Sequence, residues 1–209
     1  ILGYCKKKYL KIIFPCFKNM FLIQEANRIV KLHCPKTIKV KLLCELVREI
    51  PYKILENFNP SQMLKEGKGS CTPKHIFLAS YLKKIGVPFT FLVISFHFKK
   101  ANIAFPRSKL KIVHALPLTY HIALKVKIKN KFKIVDVTWD SKLKGFPINN
   151  LWDGESDMIL GVTPEKIFET SVDPRIFTKT LKQAFTPQEK EHIKKFVLFF
   201  NDFLEKART

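Results

Sequence analysis

Gly69-Ser70-Cys71-Thr72-Pro73-Lys74-His75-Ile76-Phe77-Leu78 opens a segment that runs through Ala79-Ser80-Tyr81-Leu82-Lys83-Lys84-Ile85 to Gly86-Val87-Pro88. The residues before Cys71 are loop formers. Those after it are helix formers, with Pro73 acceptable in a first turn and Gly86 suited to a C-terminal stop. The spacing predicts a helix from Cys71 to about Ile85, which places a thiol where the first-turn amides and the positive end of the helix dipole favour thiolate, the nucleophilic form. Gly67 and Gly69 are read as room for a substrate backbone to approach.

Working outward, Thr37 to Ile50 is amphipathic. Ile38, Leu42, Leu46 and Ile50 recur every four residues, with Thr37 as the expected cap and Pro51 as the stop. Residues 51–70 read as irregular, with a turn of helix near Ser61 to Lys65. On the other side, Pro88 to Phe98 is aromatic and β-branched and reads as a strand. Residues 99–118 are polar and basic, and read as a loop or a ragged hairpin. Tyr120 to Lys129 alternates, with His121 and Ala123 on one face and Ile122, Leu124, Val126 and Ile128 on the other. Lys131 to Trp139 supplies the partner strand across a turn at Asn130. In that hairpin His121 faces about residue 139, which leaves Asp136 one diagonal step away, within reach of two side chains.

A thiol at a helix start, an imidazole on one strand and a carboxylate on the next are the three groups of a nucleophile, base and orienting acid. Other histidines compete for the base. His75 follows Cys71 by four residues on the same helix face and either touches the thiol or caps a surface. His114 has no carboxylate at hairpin spacing, and His33, His97 and His192 show no partner pattern.

From Leu46 to Trp139 the chain resembles the transglutaminase-like superfamily. The landmarks occur in order: Val47 to Tyr52 after the first helix, Gly69-Ser70-Cys71 at the second, Gly86-Val87-Pro88 before a strand, then His121 and Val135-Asp136-Val137-Thr138-Trp139. The resemblance implies an α+β fold, papain-like or transglutaminase-like, with the nucleophile helix packed on an antiparallel sheet. It implies Cys71 as nucleophile, His121 as general base and acid, Asp136 as orienting carboxylate, and a peptide or protein amide as substrate. It implies no metal and no cofactor. Two departures bear on substrate choice: Ile122 follows the histidine where an aromatic residue is common, and the insert at 99–118 is long. Papain-type proteases place the histidine about 130 residues or more after the cysteine, against 50 here, from 71 to 121. Arylamine N-acetyltransferases use the same side-chain types but want Arg-Gly-Gly where Lys68-Gly69-Ser70 stands. For the oxyanion, the Cys71 amide and one of Asn57, Asn59 or Gln62 are the candidate donors. A catalytically silent binding module for a peptide or an anionic partner is the competing reading.

The tail carries two helix signals. Thr163-Pro164-Glu165-Lys166 predicts a short helix. Thr186-Pro187-Gln188-Glu189 is a capping box that opens a last helix to about Lys206. Helices, then strands, then helices indicate α+β rather than alternating βαβ. The 209 residues fit one domain, with a core at about 38–140 and a helical extension over 141–209. The first Met is Met20, so residues 1–20 are read as a disordered or mis-started extension.

The formal net charge is +21, nearly all from Lys. Dispersed lysines without a recognition motif, and with arginine only at 28, 48, 107, 175 and 208, argue against specific nucleic-acid binding, because base readout favours the Arg fork. Cysteines at 5, 16, 34, 44 and 71 are odd in number and contain no CxxC, so a reducing, cytoplasmic compartment is expected. No segment reaches the length of a membrane span.

Overall fold

The structure is a computed structural model that describes residues 19–149 and 151–209. Helices α1 (Asn19–Lys31), α2 (Lys36–Arg48), α3 (Pro60–Glu66) and α4 (Cys71–Lys84) precede strand β1 (Phe89–Phe96). A short helix α5 (Leu110–His114) separates β1 from the hairpin β2 (Thr119–Ile128) and β3 (Lys131–Val135). Strand β4 (Lys166–Thr170) and helices α6 (Arg175–Ala184) and α7 (Pro187–Lys206) follow. The four strands form one sheet in the order β3-β2-β1-β4, with every pairing antiparallel. The class is α+β, as expected.

The hairpin forms where the alternation placed it. Ile128 pairs with Lys131 and Leu124 with Val135, so the chain turns at Lys129-Asn130, with Lys129 at φ 54°. Ile122, Leu124, Val126 and Ile128 enter the main core together with Phe77, Leu78 and Leu82 of α4. Ala123 enters a smaller cluster on the opposite face with Leu92, Ile94, Phe96 and Val162. Helix α4 is therefore a buried helix that lies on β2. Its own buried residues surround it on nearly every side: Thr72, Lys74, His75, Phe77, Leu78, Ala79, Tyr81 and Leu82.

Several expectations are corrected. Residues 163–166 do not form a helix. Glu165 N–H donates to Ser95 O (2.8 Å), and residues 166–170 pair along the free edge of β1. Ile167, Phe168 and Thr170 suit a strand, and the open edge outweighs the local Pro164 signal. The tail is thus not wholly helical, and α1 and α6 are helices that the sequence pattern does not predict. Helix α2 begins at Lys36 behind Pro35, with no side-chain cap from Thr37. Strand β3 stops at Val135, before Trp139. Residues 99–118 make short helical turns and no hairpin. Of the extension expected at 1–20, residues 1–18 lie outside the described residues, and α1 begins at Asn19.

The last helix opens on the predicted capping box, with Thr186 and Glu189 exchanging hydrogen bonds. Its Phe196, Phe200 and Leu204 are buried. Phe200 meets Tyr52 and Trp139, and Phe98 and Phe105 pack from the 97–116 segment onto the same stripe. The C-terminal helix thus braces the elements around Cys71. Among the described residues, no helix is long and apolar enough to cross a membrane.

Candidate active site

Cys71 occupies the first position of α4, behind Ser70 in extended conformation at φ −82° and ψ −177°. The segment that delivers it is held from two sides. Gly69 N–H donates to Pro51 O (3.0 Å) and Lys53 N–H to Gly69 O (3.2 Å), which ties the loop before α4 to the chain after α2. A Cβ on Gly69 would come within 2.5 Å of Met63 Cγ. Met63 is fully buried, so the absence of a side chain at Gly69 serves the packing of α3.

His121 lies in β2, and Asp136 is one residue past the end of β3. The hairpin brings them together: His121 Nε2 and Asp136 Oδ2 are 2.7 Å apart. Both side chains are almost wholly buried. Asp136 is held on every side. Gly161 N–H donates to Oδ2 (2.7 Å) and Thr138 N–H to Oδ1 (3.0 Å). Asn149 Nδ2 donates to its backbone carbonyl (3.1 Å). With Nε2 engaged by the carboxylate, Nδ1 is the ring nitrogen left to face the thiol, and the His121 charge acts on Cys71.

The electrostatics follow from burial set against pairing. Burial alone would raise the Cys71 thiol, but the nearby imidazolium of His121 and the Ile122 amide outweigh that and bring it below its ordinary value of 9.0. Burial alone would lower His121, but Asp136 and Cys71 lift it to about 10. Asp136 would rise on burial, but His121 and its other donors hold it well below the usual carboxylate range. Together these favour a thiolate–imidazolium pair beside a permanent carboxylate.

His75 neither touches solvent nor caps a surface, contrary to one of its expected roles. It is fully buried. Its Nδ1 is 2.8 Å from Cys71 O, and Val137 N–H donates to its Nε2 (3.1 Å). Because Nε2 accepts, Nδ1 carries the proton and donates. Burial pulls its pKa down to about 4, so the ring is neutral. The neighbouring Lys74 is also fully buried and donates to Arg48 O, Ile50 O and Thr138 O at 2.9, 2.9 and 2.8 Å. Burial lowers it to about 7, against the pull of Asp140 and Glu49. Two successive side chains of α4 thus grip residues 137 and 138, just beyond Asp136.

Sequence reasoning missed these ties, and it missed Gly161 and Asn149, whose spacing from the hairpin carries no local signal. Two of the side chains expected as oxyanion donors before α4 make bonds within α3. Asn59 Oδ1 accepts from Ser61 N–H at the start of α3, and Gln62 donates to Glu66. Trp139 is a core residue. It packs against Tyr52 and Phe146 with tilted rings, and its Nε1–H donates to Gly161 O (2.8 Å).

No protein-family model matches the chain, and no curated protein does. Two solved structures are similar to it. One is described as "a Putative Cysteine Protease from Cytophaga hutchinsonii": 15% identical, TM-score 0.40, covering 74% of this chain and 45% of that one. The other is described as "a TGase": 12% identical, TM-score 0.40, covering 68% of this chain and 38% of that one. This chain spans less than half the length of either structure. Likeness at this level carries no chemistry to this chain, whose fold rests on its own elements and register.

Proposed function

We propose that this chain is a thiol enzyme that hydrolyses or transfers the acyl group of an amide, with a peptide or protein as substrate. The observation that carries the reading is the position of one buried imidazole, which is hydrogen-bonded to a carboxylate through Nε2 and lies close enough to the Cys71 thiol, at the head of a helix, for its charge to lower the thiol pKa. In this reading Cys71 is the nucleophile, His121 the general base and acid, and Asp136 the group that orients the ring and stabilises imidazolium.

The Cys71 thiolate attacks the substrate carbonyl carbon and forms a C–S bond, while the carbonyl electron pair moves to oxygen. Collapse of that oxyanion breaks the C–N bond, and the amine leaves with the proton from His121. Neutral His121 then takes a proton from water, or from an acceptor amine, as it attacks the thioester. The products are an acid or a new amide and the restored thiol.

The test is a comparison of wild type with Cys71→Ala on peptide, glutamine-amide and glycopeptide substrates, read as released amine or ammonia. Turnover in wild type that vanishes in the variant supports the enzyme. Binding of a peptide without turnover, equal in both proteins, would favour the silent binding module.

A further inference from the structure

We infer that the Ser70 hydroxyl is an oxyanion donor, acting with the Cys71 amide on the carbonyl that Cys71 attacks; this rests on the thiol-enzyme reading above. A serine at the N-cap normally accepts a hydrogen bond from the second or third amide of its helix. The third residue of α4 is Pro73, which has no N–H to give. Ser70 makes no side-chain cap bond to the remaining second amide, Thr72 N–H, either. The other N-cap side chains behave differently: Asn59 accepts from Ser61 at the head of α3, and Thr186 from Glu189 at the head of α7.

The Ser70 hydroxyl is also buried. The residue is 3% exposed, and Oγ has no hydrogen-bond partner among the described residues. Leaving a hydroxyl buried and unpaired is costly, and such groups call for a reason. Here the reason lies one bond away along the chain. Ser70 O accepts from Lys74 N–H (3.3 Å), so the helix proper begins at Ser70. The amides of Cys71 and Thr72 then have no carbonyl within the helix to bind. The buried, unpaired hydroxyl thus belongs to the residue that heads the positive end of a 14-residue helix and directly precedes the nucleophile. The other unpaired hydroxyl nearby, Thr138 Oγ1, lies on the carboxylate side. Thr138 N–H is bonded to Asp136, and a Cβ on Gly161 would meet both Thr138 Cβ and Asp136 Oδ2.

When the Cys71 thiolate adds to a carbonyl, the C=O electron pair becomes an oxyanion. The Ser70 O–H and Cys71 N–H donate to it, and both bonds relax when the C=O reforms and the leaving group departs. A displacement at a saturated carbon creates no oxyanion and gains nothing from Ser70. That difference supplies the test. Wild type, Ser70→Ala, Ser70→Gly and Cys71→Ala are treated with p-nitrophenyl acetate, followed by nitrophenolate release, and separately with iodoacetamide, followed by mass. The Cys71→Ala rates are subtracted as background. Ser70→Gly is the second variant because glycine is accepted at an N-cap should alanine impair folding.

The expected result is acylation slowed about 10²-fold in the Ser70 variants, the scale set by loss of one oxyanion donor, with alkylation of Cys71 unchanged. Acylation at the wild-type rate would overturn the role of Ser70 and leave the thiol reading standing. Equal loss in both reactions would also overturn it, because Ser70 would then support the thiolate itself. If Cys71→Ala reacts like wild type with both reagents, the thiol reading fails, and the role of Ser70 with it.

Discussion

Asp136 and His75 both lie against the proposed reacting pair, and they are expected to fail in different ways. Asp136 accepts from His121, Gly161 and Thr138. Asp136→Asn keeps the size and loses the charge. The amide then selects against the required imidazole tautomer and no longer stabilises imidazolium. Turnover is expected to fall by about 10⁴-fold, as in the serine-protease case. Iodoacetamide labelling provides a second readout. In wild type the Cys71 rate is expected to rise below the ordinary thiol range, because its pKa is lowered, and turnover is expected to decline above about pH 10, where His121 loses its proton. In Asp136→Asn the labelling curve shifts to higher pH; an unshifted curve would remove Asp136 from the electrostatics of the pair. His75 is a structural tie. His75→Ala leaves the Val137 N–H without its acceptor and opens a cavity, so thermal or denaturant unfolding is expected to show a loss of about 2–4 kcal/mol. A fully stable His75→Ala protein would show that the grip of α4 on residue 137 is dispensable.

At the scale of elements, α3 and the loop into α4 are fitted by one missing side chain. Gly69→Ala would bring a Cβ within 2.5 Å of Met63 Cγ, and Met63 is walled in. The expected loss is about 1–3 kcal/mol from overpacking. Adding Met63→Ala opens space for that Cβ, so the double variant should lose less than the two single variants combined, as read from denaturant melts. Additive losses would mean that the strain is relieved by backbone movement, not by the Met63 side chain. Helix α4 itself is anchored by polar groups as well as apolar ones. Lys74 Nζ donates to the carbonyl of Arg48 at the end of α2, to that of Ile50 just beyond it and to that of Thr138, so α2, α4 and the chain beyond β3 are joined at one point under the candidate site.

For the whole molecule the positive charge is spread. Lys68, Lys100, Lys125 and Lys129 each pair with a carboxylate, in well-separated parts of the surface: Glu205, Glu165, Glu169 and Glu155. Contact with DNA or RNA is expected to be blind to sequence. For six or more phosphate contacts it should weaken by about 10³-fold or more between 50 and 200 mM salt. A tight complex that survives salt, measured by fluorescence anisotropy, would contradict the dispersed-charge reading. At this scale α7 joins the N-terminal half to the tail: Arg208, just beyond it, donates to Asp140 Oδ2 and Tyr52 O, both at 2.8 Å.

Local signals were sufficient where one face or one cap decides the structure. The helix from Cys71, the period-two hairpin carrying His121 and Asp136, and the capping box at Thr186 are legible because each depends on neighbours within a few residues. What lay beyond the sequence depended on partners far along the chain. Residues 166–170 became a strand because the edge of β1 was open, overriding a proline that locally favours a helix. The roles of His75, Lys74, Gly161 and Asn149 are set by hydrogen bonds to backbone atoms elsewhere, and a backbone N–H or C=O leaves no mark in residue identity. The residue types of the candidate site were therefore written in the sequence, while their burial, their protonation and the rigidity of their frame arise only when the helix, the hairpin and the tail close on one another.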